Sequence, residues 1–528
     1  MRVAAMENWG LIICRQKHVF YNSQLYSPSD QRQITDLLSH EVAHQWFGNL
    51  VTMKWWNTLW LNEGFATMIG MKAADEAERI TVRTDEVAVD YNARSYRYDQ
   101  SRRSMPLTTP YGVIVNPDSQ FNIITYKKAA GLLRMFEFIV GEDIFRDGLR
   151  KYIKNLEYGN GDHEDLIGAL SSVHDAAETR THLFEQNFSL GDVVEKWIHQ
   201  RGLPLIKRFK SNDTTQWKIP MFVRDQETNR TVVKWLVENG TVELDLRRDL
   251  VLDREGRMYG RIRYDVETYD RITTALHEDP KAVPVSSRIR LLDDGFTFAE
   301  IGELSFETVF RLALYLRKET EYFPLQITGS HFEIMLARFV RRTEVKIVQL
   351  FIRHLYLPLF QKFIGEPVGE DVPIFQDSLR GMVTIIVCTT GYEPCIEYAR
   401  KIFKQTKEAC GSKPLSDVDC NHIPHFMRTP IYQTVVHYGG DEEFEYLFEK
   451  WTNEQYMMER DRIFYGLANS PKKEHLHRTW KAVLFDFGRR EDVRSRCSSM
   501  KPSYPDHFQS FVLENVEQIV AKSVVEKF

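Results

Sequence analysis

Two histidines four positions apart, His40 and His44, flank Glu41 in an H-E-x-x-H stretch, and Glu63 follows His44 after eighteen intervening residues. On a helix this spacing puts both imidazoles on one face, one turn apart, where they can hold a single zinc ion. Glu63, from a neighbouring helix, is the candidate third ligand. Two neutral imidazoles and one carboxylate leave a fourth position for water, as in catalytic rather than structural zinc sites. Glu41 sits beside the ligands without being one, where a general base is needed to take a proton from that water. The chemistry this pattern predicts is hydrolysis by a zinc-bound water. Taken alone, H-E-x-x-H is a weak signal, and histidines satisfied in a core are commoner than ligands. The elements around it carry the argument.

Pro28-Ser29-Asp30, with Gln33 three residues later, reads as the start of a helix with a capping box at Asp30. Leu37, Leu38, His40, Glu41 and His44 recur at helical spacing, and Gly48-Asn49 is the predicted stop. Leu59 to Ile69 is an apolar run predicted to be the buried helix that carries Glu63. A carboxylate buried in such a run requires a cation.

The chain has 528 residues, which exceeds one hydrophobic core. A net charge of -5 offers no nucleic-acid surface. There is no stretch of eighteen apolar residues, so no transmembrane segment is predicted. The N-terminus does not read as a signal peptide. Sequons at Asn187, Asn212, Asn229 and Asn239 point towards a secretory history. Of the six cysteines, Cys388, Cys395, Cys410 and Cys420 fall as two close pairs, compatible with local disulfides or with buried thiols.

Along the chain, residues 1–204 read as mainly helical. Trp9 to Cys14 is a β-prone run, and residues 132–154 form a helical pattern broken at Gly141-Glu142-Asp143. Residues 205–270 change to strand-like segments (Trp217 to Met221, Val232 to Val237, Val242 to Leu246) and predict a small β-sandwich. Residues 271–528 return to helix, with apolar stripes around Leu304 to Leu316, Phe332 to Phe339, Val348 to Phe360 and Tyr446 to Phe464. The fold class expected is mainly α with a small β portion. His475-Leu476-His477 is predicted to be a solvent-exposed loop rather than a second metal site.

These residues resemble the gluzincin zinc aminopeptidases of the membrane alanyl aminopeptidase, or aminopeptidase N, type. Ala5-Met6-Glu7-Asn8-Trp9-Gly10 looks like the family's G-A-M-E-N-W-G exopeptidase motif, and residues 40 to 66, HEVAHQWFGNLVTMKWWNTLWLNEGFA, look like its zinc-binding core. Thr125-Tyr126-Lys127-Lys128 resembles the segment that carries its transition-state tyrosine. Alone, Tyr126 would read as a packing residue and Glu7 as a surface glutamate.

The resemblance implies one zinc ion on His40, His44 and Glu63, with Glu41 and Tyr126 catalytic. It implies that Glu7, flanked by Met6 and Asn8, binds the free ammonium of a peptide substrate. It also implies a thermolysin-like catalytic domain, a β-sandwich and a C-terminal helical bowl, with a disulfide between Cys388 and Cys395. Pairing Cys410 with Cys420 extends that reading. The implied location is the outer face of the plasma membrane or the secretory lumen, and a homodimer is left open. The family's N-terminal β-domain and first catalytic strands have no counterpart before Ala5, so the chain reads as N-terminally truncated, with the catalytic sheet partly missing. Ala4 and Ala129 stand where the family usually has glycine. The alternatives are a zinc endopeptidase and a catalytically silent binding or scaffold protein.

Overall fold

The computed structural model describes residues 4–78, 84–112, 114, 116–176, 189–207, 217–225, 230–237, 250–339, 342–365, 374–486 and 505–518. The four sequon asparagines, Cys497 and the expected strand Val242 to Leu246 lie outside them. The described chain is mainly helical, as its sequence predicts.

The chain divides into two compact units. The first holds residues 5–13 and 34–328. Its centre is built from α1 (Pro28–Ala43) from Ile34 onward, α2 (Trp60–Glu78), α3 (Thr84–Asp99) and α4 (Ala129–Val140). The run that carries Glu63 is buried almost throughout: Trp60, Leu61, Phe65, Ala66 and Met68 are all 3% exposed or less. Gly141 adopts φ +93°, and there the predicted 132–154 pattern breaks into α4 and a second helix, Glu142–Leu156. A left-handed residue between two helices is a position only glycine takes without strain.

Strand content is small, and every sheet among the described residues has two strands. Val51–Met53 runs parallel to Gly159–Gly161. Where a sandwich is expected, Ile219–Arg224 pairs antiparallel with Thr231–Leu236, and Leu205–Lys207 runs parallel to Arg261–Arg263. In the β-prone run Trp9 to Cys14, strand is confined to Ile13–Cys14. Gly10 has φ +76° and Leu11 N–H bonds the Asn8 carbonyl at 2.9 Å, which makes this stretch a turn.

The second unit holds residues 1–4, 14–33 and 329–528 and is helical. Its core includes Phe403, Tyr432, Phe444, Leu447, Trp451, Ile463 and Phe464. The apolar stripe from Tyr446 to Phe464 is not one helix. It is shared by Asp441–Asn453 and Met457–Leu467, because the Glu454 carboxylate turns away to cap Ser416 (2.7 Å from Oγ) and the Tyr456 amide (3.0 Å). Disulfides join Cys388 to Cys395 and Cys410 to Cys420.

The start of α1 also differs from expectation. Ser27 is the cap: its Oγ accepts from Asp30 N–H at 3.1 Å, while the Asp30 carboxylate accepts from Ser27 N–H at 2.9 Å. Asp30 is therefore the third helical residue of the capping box. His475 is no exposed loop residue. It is 8% exposed on the helix Lys473–Lys481, stacks on Phe444 at 3.8 Å, and bonds Ser470 and Asp441 at 2.9 Å each.

Candidate active site

His40, His44 and Glu63 meet at one point. Nε2 of His40 and Nε2 of His44 are 3.0 Å apart, and each lies 3.2 Å from Oε2 of Glu63. Three donors shared by a tetrahedral zinc at its usual 2.0–2.1 Å stand about 3.4 Å from one another, so the spacing suits that ion. Glu63 is 4% exposed and His44 1%.

The orientation of His44 is fixed by its other nitrogen. Nδ1 lies 2.9 Å from the Phe47 carbonyl, which can only accept, so Nδ1 carries the proton and Nε2 turns its lone pair to the cluster. Phe47 in turn stacks on Phe65 of α2 at 4.5 Å. Nδ1 of His40 has Thr67 Oγ1 at 3.5 Å.

The cluster favours positive charge on electrostatic grounds. Burial alone would raise the Glu63 carboxyl, yet hydrogen bonds and charge from His40 and His44 bring it down to about 2. Burial lowers His44, but the Glu63 carboxylate outweighs it and holds the imidazole at about 9. A buried carboxylate thus recruits positive charge, from protons or from a metal. The donor set of two imidazoles and a carboxylate fits zinc.

Glu41, on the same helix, is close enough to His44 and Glu63 to feel their charges. It is 5% exposed, and its Oε2 is buried with no hydrogen-bond partner. Burial pushes its carboxyl up to about 7; the His44 charge opposes this, and those of Glu7 and Glu63 add to it. Near that value a carboxylate can take and release a proton at neutral pH.

Tyr126 lies on a π-helical turn, Ile124–Lys128, a rare geometry often found at functional sites. Its ring stacks on His40 at 5.9 Å. Burial, then the charge of Glu63 and a hydrogen bond to it, raise the phenol well above its ordinary value. Lys128 anchors the turn: its fully buried ammonium is 2.9 Å from Asp99 of α3 and 2.8 Å from the Gly202 carbonyl.

Glu7 is half-buried and close enough to act electrostatically on Glu41, His44 and Tyr126. Its backbone carbonyl is gripped by Asn49 Nδ2 at 2.7 Å and Gln45 Nε2 at 3.1 Å. Met6 and Asn8, on either side, are exposed. The structure therefore gathers His40, Glu41, His44, Glu63, Tyr126 and Glu7 and leaves Met6 and Asn8 open to solvent. Gln45, Asn49 and Phe47, which orient them, escaped the sequence reading. Gln45 stands one helical turn beyond Glu41, and that spacing was the only available signal.

This cluster has the donor set of a metal site of the H-E-x-x-H type. Residues 1–197 match the Peptidase family M1 domain, and residues 250–525 match the ERAP1-like C-terminal domain. The chain is 27% identical to aminopeptidase N of Haemonchus contortus over 88% of its own length and 51% of that protein. It is 27% identical to human aminopeptidase N (94% and 53%) and to endoplasmic reticulum aminopeptidase 2 of Bos taurus (89% and 53%). The chain belongs to the M1 peptidase family, in its aminopeptidase N group. It spans about half the length of these relatives.

Proposed function

We propose that this chain carries the catalytic centre of a zinc aminopeptidase that releases N-terminal residues from peptides. The observation that carries the reading is the convergence of three metal-binding atoms within 3.2 Å, beside a buried carboxylate oxygen that has no partner.

His40, His44 and Glu63 hold the ion. When bound, zinc lowers the pKa of a water ligand to about 7 and polarises the scissile carbonyl. Glu41 takes a proton from the attacking water on its free oxygen and hands it to the leaving amine. The Tyr126 hydroxyl, kept protonated by its surroundings, donates to the carbonyl oxygen as negative charge grows there. The Glu7 carboxylate accepts from the substrate's terminal ammonium, so that only the first peptide bond reaches the reacting centre. Met6 and Asn8 border that subsite.

The three-part division into residues 1–204, 205–270 and 271–528 belongs to this proposal. So does an extracellular or lumenal address, which the two disulfides support, since such bonds persist in oxidising compartments.

The test is release of a fluorescent amine from an amino-acid amide. Release is expected to need zinc, to be restored by zinc after chelation, and to fall by about 10²–10⁴-fold in Glu41→Gln at unchanged zinc content. Folded, zinc-loaded protein that releases nothing sinks the enzymatic reading. Equal cleavage of a blocked peptide would favour an endopeptidase.

A further inference from the structure

A second cluster of metal-binding side chains lies apart from His40, His44 and Glu63 in sequence and shares no residue with them. His163 opens the helix His163–Ala176; Glu195 and His199 stand one turn apart at the end of the packed helix Leu190–Ile198. Nε2 of His163 is 3.3 Å from Glu195 Oε1, and Nε2 of His199 is 2.9 Å from Glu195 Oε2. The two rings meet edge to face at 5.4 Å, and one donor atom from each of the three residues falls within 4.8 Å of the others.

Glu195 and His199 alone would be an ordinary surface pair at i, i+4. The third donor, arriving from another helix, changes this. We propose that His163, Glu195 and His199 bind a second divalent metal ion of the zinc type, one that clasps the two helices.

Two features favour the site. His199 caps a helix C-terminus, where the carbonyl ends favour a cation. The neighbouring Asp162 and Asp165 are held by Lys54 at 2.8 Å and complete no part of the donor set. Side chains of Glu195 and His199 are about two-fifths exposed (41% and 42%), so water can fill the remaining positions and the ion can exchange.

The experiment has two arms. In the unaltered chain, carbethoxylation of His199, read by mass spectrometry of its peptide, is expected to fall several-fold when zinc is added. Elemental analysis at equilibrium with excess free zinc is expected to find one ion fewer per chain in His163→Gln/His199→Gln, with the second ion's affinity reduced by at least about tenfold. Failure of the His40 cluster to bind would lower the total count yet leave His199 protection intact, so the two readings fail separately. Should the double variant misfold, the protection arm decides alone. Unchanged labelling of His199 with zinc overturns the proposal.

Discussion

Gly70 of α2 lies against the backbone of His40. A Cβ built on Gly70 would stand 2.8 Å from both Cα and N of His40, and 3.1 Å from the Ser39 carbonyl carbon. These are main-chain atoms inside a helix, so they cannot swing aside. The absence of a side chain at Gly70 sets how near α1 approaches α2, and with it how near His40 comes to Glu63. Gly70→Ala is expected to push the helices apart, costing about 1–3 kcal/mol as overpacking does and weakening metal retention. The check is zinc content after dialysis together with the thermal unfolding midpoint; wild-type values for both would refute the tight-approach argument.

Tyr126 offers a cleaner separation of binding from chemistry. Its hydroxyl is the only part removed in Tyr126→Phe, and the stack on His40 remains. If the hydroxyl serves the growing oxyanion, kcat falls by about 10²–10³-fold, the usual loss of about 2.7–4 kcal/mol for one such donor. Zinc content stays at the wild-type level, because the three ligands are untouched. Loss of metal in this variant would show that the phenol serves the cluster instead.

Much of this site was legible because its chemistry is local. His40, Glu41 and His44 share one helix, and helical spacing alone brings them to one face. The start of α1 was misread by one turn because serine and aspartate both cap helices: Asp30 followed by Gln33 imitates the box that Ser27 and Asp30 form. His475 was placed in solvent because Lys472, Lys473 and Glu474 surround it in sequence, whereas the surface it covers, Phe444, comes from another helix. The approach of Gly70 to His40 and the meeting of His163 with Glu195 are tertiary, and no period in the chain announces them. The stripe from Tyr446 to Phe464 kept its apolar spacing across a break that Glu454 makes through contacts remote in sequence.

Acid is expected to weaken the second unit through His425 and His18. Burial, then the charges of Arg462 and Arg428, lower His425 to about 4, although Asp30 and a hydrogen bond involving the Gln24 backbone oppose this. Burial, then Lys17 and Arg15, bring His18 to about 4, against Asp461. In the unfolded chain both titrate near 6.5. Between about 6.5 and 4 the unfolded state therefore binds more protons, so stability rises with pH and is lost as pH falls through that window. His18→Gln/His425→Gln should flatten the fall in unfolding midpoint between pH 7 and 4.5. Carboxylates contribute a slope of their own, so the difference between the two proteins is the measurement. Superimposable curves would show that neither imidazole is buried uncharged.

In the proposed reading, Glu7 carries the distinction between trimming an end and cutting a chain. Its carbonyl is held by Gln45 and Asn49, which follow α1 in the chain, so the Glu7 backbone is tied to the segment just beyond Glu41 and His44. A terminal ammonium docked there is one residue from the scissile bond. Glu7→Gln keeps the shape and removes the charge; losing one partner of such a pair costs about 2–5 kcal/mol, which is roughly 30- to 5,000-fold in kcat/KM. The loss should fall on substrates with a free amine and spare those whose amine is acetylated, narrowing the ratio between them. Gln45→Ala, which removes one of the two donors to the carbonyl but keeps the carboxylate, should produce a smaller loss in the same direction. Equal losses on free and blocked substrates would mean that Glu7 acts on the electrostatics of Glu41 and not on the peptide's end.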